Sequence, residues 1–334
     1  MSDPCLDGDW HPVAISASVP AGARLATRLL GRDVVVWRGA DGAVHATEDR
    51  CPHRGTRLSI GKVQGDEIVC AYHGWRFAGD GRCLHVPAHP ALEVASQTRL
   101  CARTHHACER YGLVWVCVGE PAKPVLPFPE FDDPHLRIVH CGPYEVGAAG
   151  PRIVENFLDM AHFGWIHGGI LGDLDHTEVG DYQVAPFDDG AGGTGVIATG
   201  CRFWQPRTNS LAHDGSEVEY TYRVLRPLTA ILTKLPEAQE GFREAISLHV
   251  QPLEQERSRV FIILAMTNFA DPDEALRGFQ DTIFAQDLPV LENQRPARLP
   301  LASGAEQSMA CDRLSLAYRR LLREWGVRWG VIAE

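Results

Sequence analysis

The sequence predicts an α+β protein of two domains, an all-β module over residues 1–120 and a mixed domain of helices and antiparallel sheet over 121–334. Three observations carry that prediction. Short β-branched runs with turn glycines, and no helical period, fill the chain from Trp10 to about Gly119. Pro121, Pro124, Pro127 and Pro129 then fall within nine residues, and because proline blocks helix and ladder alike, they read as an extended linker. Beyond the linker, helical stretches flank an alternating region at 179–269.

In the first module, Val34-Val35-Val36-Trp37, Asp41-Gly42 and Val44-His45-Ala46 read as a hairpin with a glycine-permitted turn. Gly79-Asp80-Gly81 marks another turn, and Leu113-Val114-Trp115-Val116-Cys117-Val118 is an apolar run of strand length that closes the module. Two stretches differ in character: Cys51-Pro52-His53-Arg54-Gly55 and Cys70-Ala71-Tyr72-His73-Gly74-Trp75. Each supplies one thiolate and one imidazole, and each holds a glycine that lets a loop turn tightly beside a bulky ligand. Two Cys and two His suit a tetrahedral zinc or a Rieske [2Fe–2S] cluster, in which two His replace two Cys on one iron. Mixed zinc modules group Cys with Cys and His with His. Here each loop carries one of each, so two loops can close on a two-iron cluster from opposite sides. We therefore read a cluster, with Cys51 and Cys70 on the buried iron and His53 and His73 on the outer one.

The second domain opens with strand-like Arg137–Val146 and then a helical stretch from Pro151 to Gly168-Gly169. Within it Asn156, Asp159 and His162 are three apart, so they share one face of a continuous helix. His167 is five beyond His162, about 140° around an ideal helix. Both imidazoles reach one metal only if the helix unwinds or bulges between them, and Gly164 is the natural place. Buried, hydrogen-bonded core histidines are the bland alternative. In the alternating region, 260–268 is apolar enough for a central strand, and no helix follows the glycine-rich 190–195, which reads as a hairpin turn. His249, Met266 and Asn268 fall on inner strands as candidate pocket residues, with core packing the simpler role. The periodic stretch 272–293 carries Asp281, Asp287 and Glu292, and a last helix runs through Leu316, Tyr318, Leu321 and Leu322 with Asp312 placed to cap it.

On its two Cys/His loops the chain resembles the Rieske non-haem iron oxygenases. The respiratory Rieske pattern adds a cysteine to each loop, joined as a disulfide; Thr56 and Tyr72 stand there instead, and Trp75 replaces a serine that donates to the cluster. Fewer hydrogen bonds to the sulfurs lower the potential, which suits a donor to an oxygen-activating iron. The resemblance implies an N-terminal Rieske β-sandwich and a C-terminal helix-grip domain, whose curved antiparallel sheet embraces the iron helix. It implies that His162, His167 and Asp287 hold Fe(II) as a facial triad with positions left for oxygen and substrate. Asp281, in a polar half-helix, and then Glu292 are the competing carboxylates. Asp159 is implied to accept from the non-ligating nitrogen of His162 and to face His53 or His73 of a neighbouring subunit in a homotrimeric ring, with Asn156 on the same helical face.

The resemblance also implies the activity of a terminal oxygenase. O2, with electrons from NAD(P)H passed through a separate flavin/iron–sulfur reductase or ferredoxin, hydroxylates a C–H bond of an aromatic or polycyclic small molecule. Hydroxylation at an O- or N-methyl group releases formaldehyde; cis-dihydroxylation of an arene is the alternative, weakly disfavoured by the short chain. The branch implied includes toluenesulfonate methyl-monooxygenase, vanillate O-demethylase and the saxitoxin-pathway hydroxylases. Arg295-Pro296-Ala297-Arg298-Leu299-Pro300-Leu301, Asp312-Arg313 and Ala317-Tyr318-Arg319-Arg320 are similar to the last two groups.

Composition narrows the field from the other side. A chain of 334 residues has room for two cores. Its net charge of −11 argues against a nucleic-acid partner. No apolar run approaches the length of a membrane span, and Met1-Ser2-Asp3-Pro4 opens no signal peptide, so we expect a cytoplasmic protein. Two of the ten cysteines lie in the loops, and the others show no metal spacing and read as free thiols. No G-x-G-x-x-G joins a strand to a helix, so the reductase must be another protein. A Rieske electron carrier would leave the second domain without a role, and a zinc interaction module would explain only the first motif.

Overall fold

Strands dominate both sides of the proline-rich stretch in the computed structural model, which describes residues 3–93, 97–188, 194–210, 212 and 214–333. Two compact units part at Val125/Leu126, with Pro252–Glu254 grouped with the first. In that first unit a short helix α1 (Pro4–Asp7) precedes strands β1 (His11–Ile15), β2 (Arg24–Leu29), β3 (Arg32–Arg38), β4 (Val44–Glu48) and β5 (Lys62–Gln64). They continue as β6 (Glu67–Val69), β7 (Arg76–Ala78), β8 (Cys83–His85), β9 (Thr104–Arg110) and β10 (Leu113–Cys117). The strands make a six-stranded antiparallel sheet, β1-β10-β9-β4-β3-β2, and a four-stranded meander, β5-β6-β7-β8. The expected hairpin is β3–β4, with Arg38 opposite Val44 and Gly42 at φ 86°, a region closed to most side chains. Val35, Trp37, Leu58, Ile68 and Phe77 pack, with Cys51 and Cys70, into one apolar layer. Burial of each large side chain contributes about 1.5–3 kcal/mol, so the layer is a firm base for the two loops.

The second unit holds β11 (Arg137–Val146), α2 (Gly150–Leu158), α3 (Phe163–Ile166), β12 (Gln183–Asp188), β13 (Thr194–Gln205), β14 (Ser216–Arg226) and β15 (Thr229–Pro236). After them come β16 (Glu244–Glu254), β17 (Arg257–Met266), α4 (Asp273–Asn293), β18 (Leu299–Pro300), α5 (Arg313–Glu324) and β19 (Val331–Ile332). The seven-stranded sheet runs β11-β17-β16-β15-β14-β13-β12. The apolar strand expected at the sheet's centre is β17, which lies second from the edge. It is apolar because both its faces are buried, with Ile262, Leu264 and Met266 on the cavity, while β11 pairs along its edge from Arg137↔Met266 to Val146↔Ser258. The glycine-rich turn expected at 190–195 lies largely outside the described residues. Among the described residues no helix is long and apolar enough to cross a membrane.

Buried residues of α4 are Leu276, Gln280, Phe284, Asp287 and Leu291. Their spacing of three or four residues is the inward stripe of an amphipathic helix. It includes Asp287 and leaves Asp281 and Glu292 on the outer face. Asp312 precedes α5 as expected, yet its side chain does not cap that helix; its Oδ2 accepts from Met309 N at 2.7 Å and closes the preceding turn instead. The firmer tie on α5 is Arg319, which donates to Glu155 Oε1 and Oε2 at 2.5 and 2.8 Å and to Glu306 Oε2 at 2.5 Å. Arg152 completes this buried network through Glu306 Oε1 at 2.6 Å.

His249 lies within the sheet rather than on its cavity side. It is 1% exposed, with Thr229 Oγ1 3.2 Å from Nδ1 and Ser247 Oγ 2.9 Å from Nε2. Burial pushes its pKa down to about 3.

Two predictions follow from these buried groups. Breaking a buried ion pair strands a charge, so Arg319→Met should cost about 3–5 kcal/mol of stability in denaturant titrations. The exposed Arg320–Glu324 pair at 3.9 Å should cost less than about 1 kcal/mol on Arg320→Ala. For His249, the folded pKa is below the unfolded one, so the unfolded chain takes up the proton first. Stability is full above about pH 6.5 and is lost as pH falls toward about 3, by about 2 kcal/mol at pH 5. His249→Gln should flatten that part of the stability–pH curve.

Candidate active site

The two Cys/His loops are built to one plan. Cys51 N donates to Thr56 O at 2.8 Å and Gly55 N to Cys51 O at 2.9 Å. The second loop repeats both bonds, Cys70 N to Trp75 O at 2.9 Å and Gly74 N to Cys70 O at 3.1 Å. Gly55 at φ 72° and Gly74 at φ 68° make both turns possible. Cys51 and Cys70 are 2% and 3% exposed, His53 is half-buried and His73 exposed. The thiols thus lie inside and the imidazoles outside. The His53 and His73 ring centroids are 4.6 Å apart, and His53 stacks on Trp75 at 4.6 Å.

This donor set fits a two-iron cluster. His53 Nδ1 is buried without a hydrogen-bond partner, as a ligating nitrogen would be. Burial, with Cys70 adjacent, pushes the Cys51 thiol up to about 11. A bound cation is therefore what would hold it as thiolate at neutral pH. All ten cysteines are free, and no disulfide links the loops.

In the second unit the chain departs from one continuous helix. α2 ends at Leu158, and Asp159 is extended at φ −79°, ψ 134°. Asn156, Asp159 and His162 therefore do not share one helical face. The Asp159 carboxylate explains the break, since Oδ1 accepts from Ala161 N at 2.9 Å and Oδ2 lies 3.2 Å from His162 Nδ1. These bonds replace the helical ones that the backbone gives up. The chain then re-enters α3 from His162, so the unwinding falls before His162 and not between the two histidines as expected; Ile166 N still donates to His162 O and His167 N to Phe163 O. Gly164 serves another need: a Cβ there would stand 2.6 Å from Asp173 O, so the glycine lets the following loop pack close.

His162 and His167 bracket the short α3 as its N-cap and C-cap, and their side chains meet with the two Nε2 atoms 3.2 Å apart. Asp287 Oδ1, from α4, lies 3.5 Å from His162 Nε2 and 3.3 Å from His167 Nε2. Donors on one face of an octahedron with bonds of ~2.1 Å stand about 3 Å apart, so this set of two imidazoles and one carboxylate fits a single metal ion. The competing carboxylates are occupied elsewhere: Asp281 accepts from Tyr144 Oη at 2.5 Å and Glu292 from Gly147 N at 2.8 Å.

The outer nitrogens and oxygens are held too. His167 Nδ1 lies 2.9 Å from Gln286 Oε1, and Asn156 Nδ2 donates to Asp287 Oδ1 at 3.4 Å. Gln286 escaped the sequence reading, although it directly precedes Asp287.

The three donors sit on the wall of a cavity inside the catalytic unit. Inward residues of the sheet, such as Tyr222, Leu232, Ile246 and Ile262, line it together with Phe284 of α4. Met266 and Asn268 reach it as expected, and His249 does not. Lys234 and Glu244, two charged residues that the sequence reading passed over, also line it. Their only signal was charge at an inward position of alternating strands.

Comparison with known proteins agrees with this architecture. Residues 9–96 match the family model "Rieske [2Fe-2S] domain", and residues 146–328 match "Vanillate O-demethylase oxygenase C-terminal domain". The chain is 32% identical over 322 residues to a probable methylxanthine N7-demethylase of Pseudomonas sp. (strain TJI-51), covering 96% of this chain and 95% of that one. It is 31% identical over 328 residues to a methylxanthine N1-demethylase of Pseudomonas putida, with 94% and 88% covered. The solved structure of Pseudomonas putida CBB5 NdmA with caffeine superimposes with a TM-score of 0.83 at 28% identity, over 96% of this chain and 91% of that one. Demethylases and monooxygenases among the relatives favour monooxygenation over the cis-dihydroxylation alternative. The chain belongs to the Rieske non-haem iron oxygenases with a vanillate O-demethylase-type catalytic domain, terminal oxygenases that use a [2Fe–2S] cluster, a non-haem iron and electrons from an NAD(P)H reductase.

Proposed function

We propose that this oxygenase removes an N-methyl group, or by the same chemistry an O-methyl group, from a heteroaromatic ring of the methylxanthine kind. The observation that supports it is the convergence of His162, His167 and Asp287 at the wall of an apolar cavity. In this reading those three hold Fe(II), and Cys51, His53, Cys70 and His73 hold the cluster. When bound, the iron supplies O2 activation for insertion into a C–H bond, and the cluster supplies the electrons.

The chain's own residues do the positioning. Asp159 and Gln286 hold the Nδ1 atoms of the two histidines, which fixes both Nε2 atoms toward the metal. Asn156 orients the Asp287 carboxylate. Apolar walls grip the flat ring and exclude bulk water from the reacting methyl group. A hydroxylated N-methyl group is a carbinolamine, which collapses to the N–H heterocycle and formaldehyde.

The same reading makes the working unit a homotrimer in the cytoplasm, where NAD(P)H and a separate reductase are at hand. In that ring Asp159, whose side chain is 35% exposed, faces His53 or His73 of the neighbouring subunit.

Purified enzyme with a ferredoxin-type reductase, NADH and a panel of N- and O-methylated heteroarenes tests the activity. One formaldehyde should appear per substrate consumed. NADH oxidation that yields only hydrogen peroxide across the panel would overturn the reading. Asp287→Ala should lose the mononuclear iron and turnover while keeping the Rieske absorbance; iron retained with full activity would move the third ligand to Asp281 or Glu292. Asp159→Asn should keep both metal sites and still slow cluster reoxidation, followed by stopped flow with substrate and O2, by about 10–100-fold. An active monomer in sedimentation would rule out the ring.

A further inference from the structure

Lys234 and Glu244 stand directly opposite each other on β15 and β16. Cross-strand partners project from the same face of a sheet, close enough for their side chains to interact. Here that face is the cavity wall, where the neighbouring inward residues are Leu232, Ile246 and Leu248. Lys234 is 3% exposed and Glu244 8%. Charges are seldom placed in such a wall without a partner, because burial in apolar surroundings disfavours the ionised form.

Lys234 is only partly satisfied. Its ammonium donates to the Thr208 carbonyl and stands 5.9 Å from the Tyr220 ring centroid. An ammonium has three N–H donors, so others remain for the cavity. Among the described residues the Glu244 carboxylate accepts no hydrogen bond, and the charge acting on it is that of Lys234. Burial pushes the Glu244 carboxyl up and the Lys234 ammonium down, and each charge opposes the shift of the other. The wall thus offers a donor and an acceptor side by side, in the same cavity as His162, His167 and Asp287.

We propose that Lys234 and Glu244 are specificity-determining residues that read a cyclic-amide edge of the substrate, with a ring C=O next to a ring N–H. The carbonyl accepts from the Lys234 ammonium, and the N–H donates to the Glu244 carboxylate. A substrate bound this way presents a different edge to the metal donors, so the pair selects which methyl group is reached. This rests on the cavity being the substrate site proposed above.

Equilibrium binding tests the pair without turnover. Iron-loaded protein without reductant is titrated in a calorimeter with matched ligands that differ by one N-methyl group: theobromine against caffeine, and phthalimide against N-methylphthalimide. The N–H member should bind at least about ten-fold tighter, roughly the effect of one charge-assisted hydrogen bond. The double variant Lys234→Met/Glu244→Leu removes both charges together and leaves none stranded; it should fold and lose the preference. Glu244→Gln, which keeps the shape, should cut the preference at least about three-fold. A pair that serves only stability would lower the melting temperature and leave the preference unchanged. Equal affinities in the wild type, a preference that survives the double variant, or no binding of either N–H member up to about 1 mM would overturn the proposal. A preference without formaldehyde release would instead overturn the demethylase reading alone.

Discussion

The catalytic unit depends on one carboxylate, that of Asp159, which ends a helix. Five residues along a helical turn, His162 and His167 start about 140° apart, so their rings must be aimed to meet. Asp159 takes over the hydrogen bonding of the chain at Ala161 and holds His162 by its Nδ1. Its hold on Nδ1 aims the His162 ring, whose Nε2 stands 3.2 Å from His167 Nε2 across the short α3. α4 has then only to present one acid opposite the two rings. The same residue thus acts twice, ending α2 and anchoring one ring.

How far the sequence foretold this depends on how local each feature is. The cluster loops were legible because thiol, imidazole and glycine lie within six residues of one another in each, and glycine is needed for both turns. Asp287 was reached through the family pattern, but the buried stripe Leu276, Gln280, Phe284, Asp287 and Leu291 gives the physical reason it faces inward. Asp281 falls outside that stripe and bonds Tyr144. The position of the helix break was not legible. Gly164 looked the weaker link, whereas the Asp159 carboxylate, accepting from Ala161 N, ends the helix before His162. Asp312 misled for a related reason, since a short acidic side chain can turn back toward a preceding N–H as readily as forward. The place of β17 beside the edge depends on β11 arriving from more than a hundred residues away, which no local pattern encodes.

Charge is distributed in the catalytic unit with two different purposes. The Arg152–Glu155–Glu306–Arg319 network is closed on itself, with several short hydrogen bonds among four side chains. It ties α2, which leads into the helix break, to α5, and so steadies the base of the metal donors. His249 is likewise closed off, held neutral between two hydroxyls. Lys234 and Glu244 contrast with both, because they border a cavity and leave hydrogen-bonding capacity open there.

In the function proposed above, two imidazoles held by Asp159 and Gln286 and one carboxylate on the α4 stripe hold one iron with no sulfur. X-ray absorption at the iron edge, on anaerobically loaded Cys51→Ser/Cys70→Ser protein, isolates that site from the cluster. The expected result is an iron shell of nitrogen and oxygen only, at about 2.1 Å, with the outer-shell scattering of two imidazoles. Sulfur at about 2.3 Å, a single imidazole, or no iron retained would contradict it.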